Sequence, residues 1–169
     1  MAVQQVLLAH GSAGGGGGPG AHRYWRLFVT QSDGSAFIGT TELQLFDSAG
    51  TNRSGGASLL SIASSTDLNS GNARDLAFDN NIVNSGWLSD GSAAPQWVRI
   101  DVESAAAPPP RTAYEVKRFR IYGSWNVPTA SPRAFQLQWS DNDSTWTTAL
   151  SVTGQTGWTA NEMREFIVF

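Results

Sequence analysis

Between Pro132 and Ser140, the apolar residues Phe135, Leu137 and Trp139 alternate with Gln136 and Gln138. A repeat of two puts every apolar side chain on one face, the pattern of a half-buried strand. The alternation recurs at Leu43 and Leu45, at Val98, Ile100 and Val102, and at Phe119 and Ile121. Tyr24 to Thr30 opens the series and Phe166 to Phe169 closes it. Turn-forming groups separate the runs: Asp33-Gly34, Asp47-Ser48-Ala49-Gly50 and Ser140-Asp141-Asn142-Asp143-Ser144. No segment sustains helical periodicity beyond a turn or two. These features predict an all-β fold, an antiparallel β-sandwich. Gly55 to Gly71, serine-rich and unpatterned, reads as a loop, and Ala105 to Pro110 as a stiff connection, since proline cannot join a ladder.

The chain has 169 residues, enough to bury one core without staples. It has no cysteine, which removes disulfides, thiolate metal sites and thiol catalysis and fits either a cytosol-folded protein or a particle assembled in a bacterial cytoplasm. Charged residues make up only 15% and the net charge is -3, so no concentrated basic face is expected for nucleic-acid phosphates. The run Val6-Leu7-Leu8-Ala9 is too short to span a bilayer. It also lacks the basic leader and cleavage motif of a signal peptide, so membrane insertion is not expected.

Residues 1–20 differ from the rest. An apolar stub, Ala2 to Ala9, carries Val3, Val6, Leu7 and Leu8 and leads into the glycines Gly14 to Gly18. Such a run has no preferred conformation. No Lys-Ser/Thr and no helical pattern follows it, which excludes a phosphate-binding loop and leaves a flexible tether. The expected organisation is therefore a stub and tether over 1–20 and a sandwich over 21–169. Four apolar side chains cannot build a core. The stub is expected to dock on a neighbouring subunit, as an added strand or a plug.

Catalytic constellations are missing from the sequence. The histidines are His10, in the tail, and His22, at the edge of the body, and no Gly-x-Ser-x-Gly elbow is present. Asp141 and Asp143 share a turn, where bonding to turn backbone is their ordinary role. Glu162 and Glu165 flank Arg164 and read as solvated charge. Asp141 to Thr145 imitates the start of a calcium-binding EF loop, but Trp146 and Val152 stand where that loop needs glycine and glutamate. No enzyme is expected.

Three motifs follow one another in fixed order: Ala77-Phe78-Asp79-Asn80-Asn81, Ser85-Gly86-Trp87-Leu88-Ser89 and Pro95-Gln96-Trp97-Val98-Arg99-Ile100-Asp101. The ordered set resembles the discoidin family, whose members are galactose-binding-like β-sandwiches (jelly rolls). Two strands that end the family pattern, of the form R-Y-V-R-L-x-V and A-E-[FL]-x-[VF], come first here, as Arg23 to Val29 and Thr41 to Phe46. A circular permutation accounts for that order and is sterically easy when termini lie close. Ser140 to Thr148 and Thr156 to Glu162 extend the likeness to discoidin-like modules of tailed-bacteriophage structural proteins.

In sugar-binding members of that family the loop carrying the first motif often wraps a structural calcium ion, and a distant glutamate completes the shell. The resemblance implies Asp79, Asn81 and Ser85 as ligands, with Glu42 brought round by the permuted strand. Asn80 stands where the family has glycine. The competing reading makes Asp79 a turn cap and Glu42 surface charge, and both stay open. Trp87, Trp97, Trp139 and Trp146 fall at packing positions of the family. Trp125 and Trp158 lie in loop contexts. Trp125 with Asn126 and Arg133 has the chemistry to stack on and bond a sugar, although an exposed tryptophan also suits a protein contact. The function implied is that of a virion structural protein: a tail, collar or fibre component, multi-copy, held by its N-terminal tail to other virion proteins and presenting the sandwich to host-surface glycan. The alternative is a stand-alone carbohydrate-binding module for bacterial polysaccharide.

Overall fold

The computed structural model describes residues 5–7, 19–56, 61–104, 107 and 112–169. Eleven strands lie among them: β1 (Gln5–Leu7), β2 (Tyr24–Ser32), β3 (Gly39–Thr40), β4 (Glu42–Phe46), β5 (Ile62–Ser64), β6 (Trp87–Leu88), β7 (Gln96–Asp101), β8 (Arg118–Tyr122), β9 (Pro132–Ser140), β10 (Thr147–Val152) and β11 (Met163–Ile167). One sheet has the order β10-β9-β2-β7-β5, a second β1-β11-β8-β4, and β3 with β6 forms a small ribbon. Every pairing is antiparallel except β1 with β11. The fold is an all-β sandwich. Helical content among the described residues is confined to three short 3-10 turns, and none is long and apolar enough to cross a membrane.

The core lies between the two larger sheets and follows from strand parity. β2 turns Trp25, Leu27 and Val29 inward, β7 contributes Val98 and Ile100, and β9 contributes Phe135 and Leu137. Leu43, Leu45, Phe119, Ile121 and Phe166 face them from the second sheet. Phe119 stacks on Phe166 at 5.0 Å between ring centroids, and Phe135 meets both edge-on at 6.2 and 5.2 Å. Each such side chain, fully withdrawn from water, contributes about 1.5–3 kcal/mol.

Several sequence readings change. The serine-rich segment contains β5, anchored by buried Ile62 against Ile100 of β7. Trp158, expected in an open loop, is buried: its Nε1 donates to the Pro132 carbonyl at 3.1 Å and the Arg164 guanidinium lies 3.9 Å from its ring centroid. Arg164 and Glu165 are buried, not solvated. Glu165 accepts from Arg120 at 2.7 Å, because antiparallel pairing sets the two directly opposite. In the 140–144 turn it is Asn142 that bonds the backbone, accepting from Ser144 and Thr145. Asp141 instead reaches His22, and Asp143 reaches Arg99.

The tail is not wholly detached from the body. Gln5–Leu7 runs parallel to β11 at the sheet edge, Val6 opposite Glu165 and Leu7 opposite Phe166. An added strand is what the stub predicted, but the acceptor here is its own chain. Val3 and Leu8 lie outside the described residues, as do the whole glycine run 14–18 and most of the 105–110 connection. Where the described chain resumes, the Gly20 amide donates to Glu115 at 3.3 Å. His22 stacks on Trp139 and bonds the Pro19 carbonyl through Nε2.

Candidate functional site

Glu42 begins β4, an edge strand whose ladder partner is β8. It points away from Leu43 and Leu45, and so away from the main core, yet it is completely buried. The cover comes from the segment that follows the 3-10 turn Arg74–Ala77, in which Phe78 is also fully buried. Neither Glu42 oxygen has a hydrogen-bond partner among the described residues. Desolvation, with the negative charge of Asp79 adding to it, pushes the Glu42 carboxyl up to about 9. The backbone N–H groups of Asn80 and Asp79 face the carboxyl and oppose that shift without closing a well-formed bond.

The loop beside Glu42 is rigidly built. Asp79 accepts from the Asn81 amide at 2.8 Å through Oδ1 and from the Ser85 hydroxyl at 2.8 Å through Oδ2. Asn81 Oδ1 accepts from the Val83 amide at 3.0 Å, and Asn161 Nδ2 donates to the Val83 carbonyl at 2.8 Å. Asn80 has φ 64°. Asparagine tolerates that left-handed conformation better than other non-glycine residues. Its side chain lies over Gly55, where a Cβ would stand 2.1 Å from Asn80 Oδ1. The opposite end is equally tight: a Cβ on Gly86 would lie 2.5 Å from the Thr40 carbonyl oxygen.

Of the four residues expected around a cation, Glu42 and Asp79 come together. Asn81 and Ser85 spend their polar groups on the loop itself, Ser85 by donating to Asp79. The turn-cap reading of Asp79 therefore holds alongside the carboxylate pairing, whereas the surface-charge reading of Glu42 is overturned by its burial. No group of three or more His, Cys, Asp or Glu residues suited to a metal occurs among the described residues. A cation here would be held by two carboxylates and by loop carbonyls. That donor set fits calcium, a hard ion that takes oxygen ligands in flexible geometry, and the orphaned buried carboxylate is the observation that favours it.

Family models, curated proteins and solved structures were all compared with the chain, and none matches.

Trp125 is 37% exposed on the loop between β8 and the 3-10 turn Pro128–Ala130. Asn126, next to it, accepts from the Ser124 hydroxyl at 3.3 Å. Arg133 is exposed near the start of β9, and no hydrogen bond or ring contact joins it to Trp125 among the described residues. Sequence reasoning missed a different cluster. Trp97 and Trp146, assigned to packing, surround Arg26 on the outer face of the five-stranded sheet. Parity was the available signal: with Leu27 and Val98 inward, Arg26 and Trp97 must point outward.

Proposed function

We propose that this protein is a structural component of a tailed-bacteriophage virion that displays its sandwich for contact with host-surface glycan. The observation that carries the reading is the meeting of Glu42 with Asp79. A permuted discoidin-like order requires those segments to be neighbours, and nothing in their separate sequences does. The parallel placement of β1 on a sheet edge supports assembly into a particle. A three-residue strand at the end of a glycine run is suited to exchange onto the same edge of another copy or of a neighbouring subunit. Trp125, Asn126 and Arg133 remain the loop candidates for sugar contact, and many copies on one particle would raise a weak contact to useful avidity.

Calcium, when bound, would supply a fixed positive charge that ties β4 to the 79–85 loop. Glu42 and Asp79 would hold it, while Ser85 orients Asp79 and Asn161 fixes the far side of the loop. The site is structural. It lacks the nucleophile, the base and the paired acids across a cleft that hydrolysis would need.

The test is incorporation. Particles assembled in the strain that encodes the chain, supplied with the protein lacking residues 2–18, should exclude the truncated form while it stays folded and soluble. Normal incorporation of the truncation would remove the role given to the tail. A protein that binds polysaccharide but never enters particles would favour the stand-alone module.

A further inference from the structure

The outer face of the five-stranded sheet carries an unusual cation. One row crosses all five strands in register, Ala63, Arg99, Arg26, Gln138 and Thr148, and the next places Trp97, Phe28 and Gln136 side by side. Among the described basic side chains, only Arg26 and Arg133 form no ion pair with a carboxylate. Arg133 is exposed, but Arg26 is half-buried. Its guanidinium lies 4.0 Å from the ring centroid of Trp146, 4.9 Å from that of Phe28 and 5.9 Å from that of Trp97. Nε donates to Gln138 Oε1 at 2.6 Å, which leaves the two terminal nitrogens without a partner among the described residues.

Directly across the strand pair stands a second cation, Arg99. Like charges placed opposite each other in a ladder repel. Arg99 is answered by Asp143 at 2.7 Å, although its own Nε is buried and unpartnered. Arg26 is not answered. Beside it, Gln138 Nε2 contacts Gln136 Oε1 at 2.5 Å and Thr148 Oγ1 at 3.3 Å, and Thr148 donates to Gln136 at 3.1 Å.

We propose that this sheet face, centred on Arg26, binds a carboxylate-bearing sugar of an acidic polysaccharide. The free fork of a guanidinium matches a carboxylate in two parallel hydrogen bonds. The half-buried indoles that wall the guanidinium add apolar surface beside it, and amide and hydroxyl groups that both donate and accept suit the hydroxyls of a sugar. A lone anion would satisfy Arg26 alone; the adjoining aromatic and amide groups call for a ring with hydroxyls attached. Desolvation by the surrounding rings pulls the Arg26 guanidinium down to about 10, against the pull of Asp143, so it is charged at neutral pH yet poorly compensated. The proposal rests on the glycan-display reading for its class of partner, and it adds a contact on elements other than the Trp125 loop.

Affinity electrophoresis of the full chain through gels containing alginate, hyaluronate or polygalacturonate tests it, with each carboxyl-reduced polymer and with polyglutamate as comparisons. At least one acidic polysaccharide should retard the protein, and carboxyl reduction should abolish the effect. Arg26→Gln should weaken binding about tenfold or more and Arg26→Lys less, with near-ultraviolet circular dichroism confirming the fold. Gln136→Ala, which spares the arginine, gives a second reading if Arg26→Gln does not fold, and it too should weaken binding. The proposal is overturned by no retardation in any of the three polymers, by equal retardation in reduced polymer or polyglutamate, or by unchanged binding in the folded Arg26 or Gln136 variants. Particle incorporation is scored separately, so the virion reading can fail while the sheet-face site stands, and the reverse.

Discussion

Glu42 is buried against Asp79 with both of its carboxyl oxygens unbonded, although Asp79 itself accepts two hydrogen bonds. The folded state holds the Glu42 carboxyl at about 9 against an ordinary value of 4.5. The native protein then keeps a proton that the unfolded chain releases. Stability from this group is complete below the unfolded value and is lost as pH rises from about 4.5 towards about 9. Urea unfolding in chelator should show stability declining across that window by up to about 1.4 kcal/mol per pH unit. Glu42→Gln should flatten the decline, and an unchanged slope in that variant would assign it to other groups. Calcium should raise stability most at the upper end, where the carboxylate ionises to meet it.

Gly86 and Asn80 have opposite tolerances. Gly86→Ala would set a methyl 2.5 Å from the Thr40 carbonyl oxygen, a backbone atom that cannot turn aside, and should destabilise by about 1–3 kcal/mol. Asn80→Gly, at φ 64°, should cost far less, because glycine adopts that conformation freely. Chemical denaturation of both variants distinguishes a tight loop from a loose one; equal costs would contradict the former.

The two loop tryptophans should separate cleanly. Trp158 is buried, hydrogen-bonded and covered by Arg164, so Trp158→Ala should cost about 3–5 kcal/mol. Trp125→Ala should stay within about 0.5 kcal/mol of the parent, as for exposed positions away from structural features. Thermal melts of the pair suffice. A large loss at Trp125 would mean that it packs, not that it is displayed.

Strand parity made most of the sandwich legible. In β9 the alternation of Phe135 and Leu137 with Gln136 gave the inward face directly, and β4, β7 and β8 follow the same rule. β5 was not legible because it is three residues long, with Ile62 its one large apolar anchor among serines. Trp158 misled because glycine and threonine neighbours describe a loop, whereas its burial comes from Pro132, distant in sequence, and from Arg164 on the strand that follows. The pairing of Glu42 with Asp79 was visible only through the ordered resemblance, since no local pattern links an edge-strand glutamate to a turn aspartate. Trp97 and Arg26 were readable in position but not in role: tryptophan in a strand suggests core, and only cross-strand register reveals the outward row.

The most direct measurement is the composition of gradient-purified particles from the strain that encodes this chain. Quantitative mass spectrometry should find the protein in them at a fixed number of copies per particle, resistant to high-salt washing. Its absence from washed infectious particles, with abundant free protein in the lysate, would contradict the virion assignment.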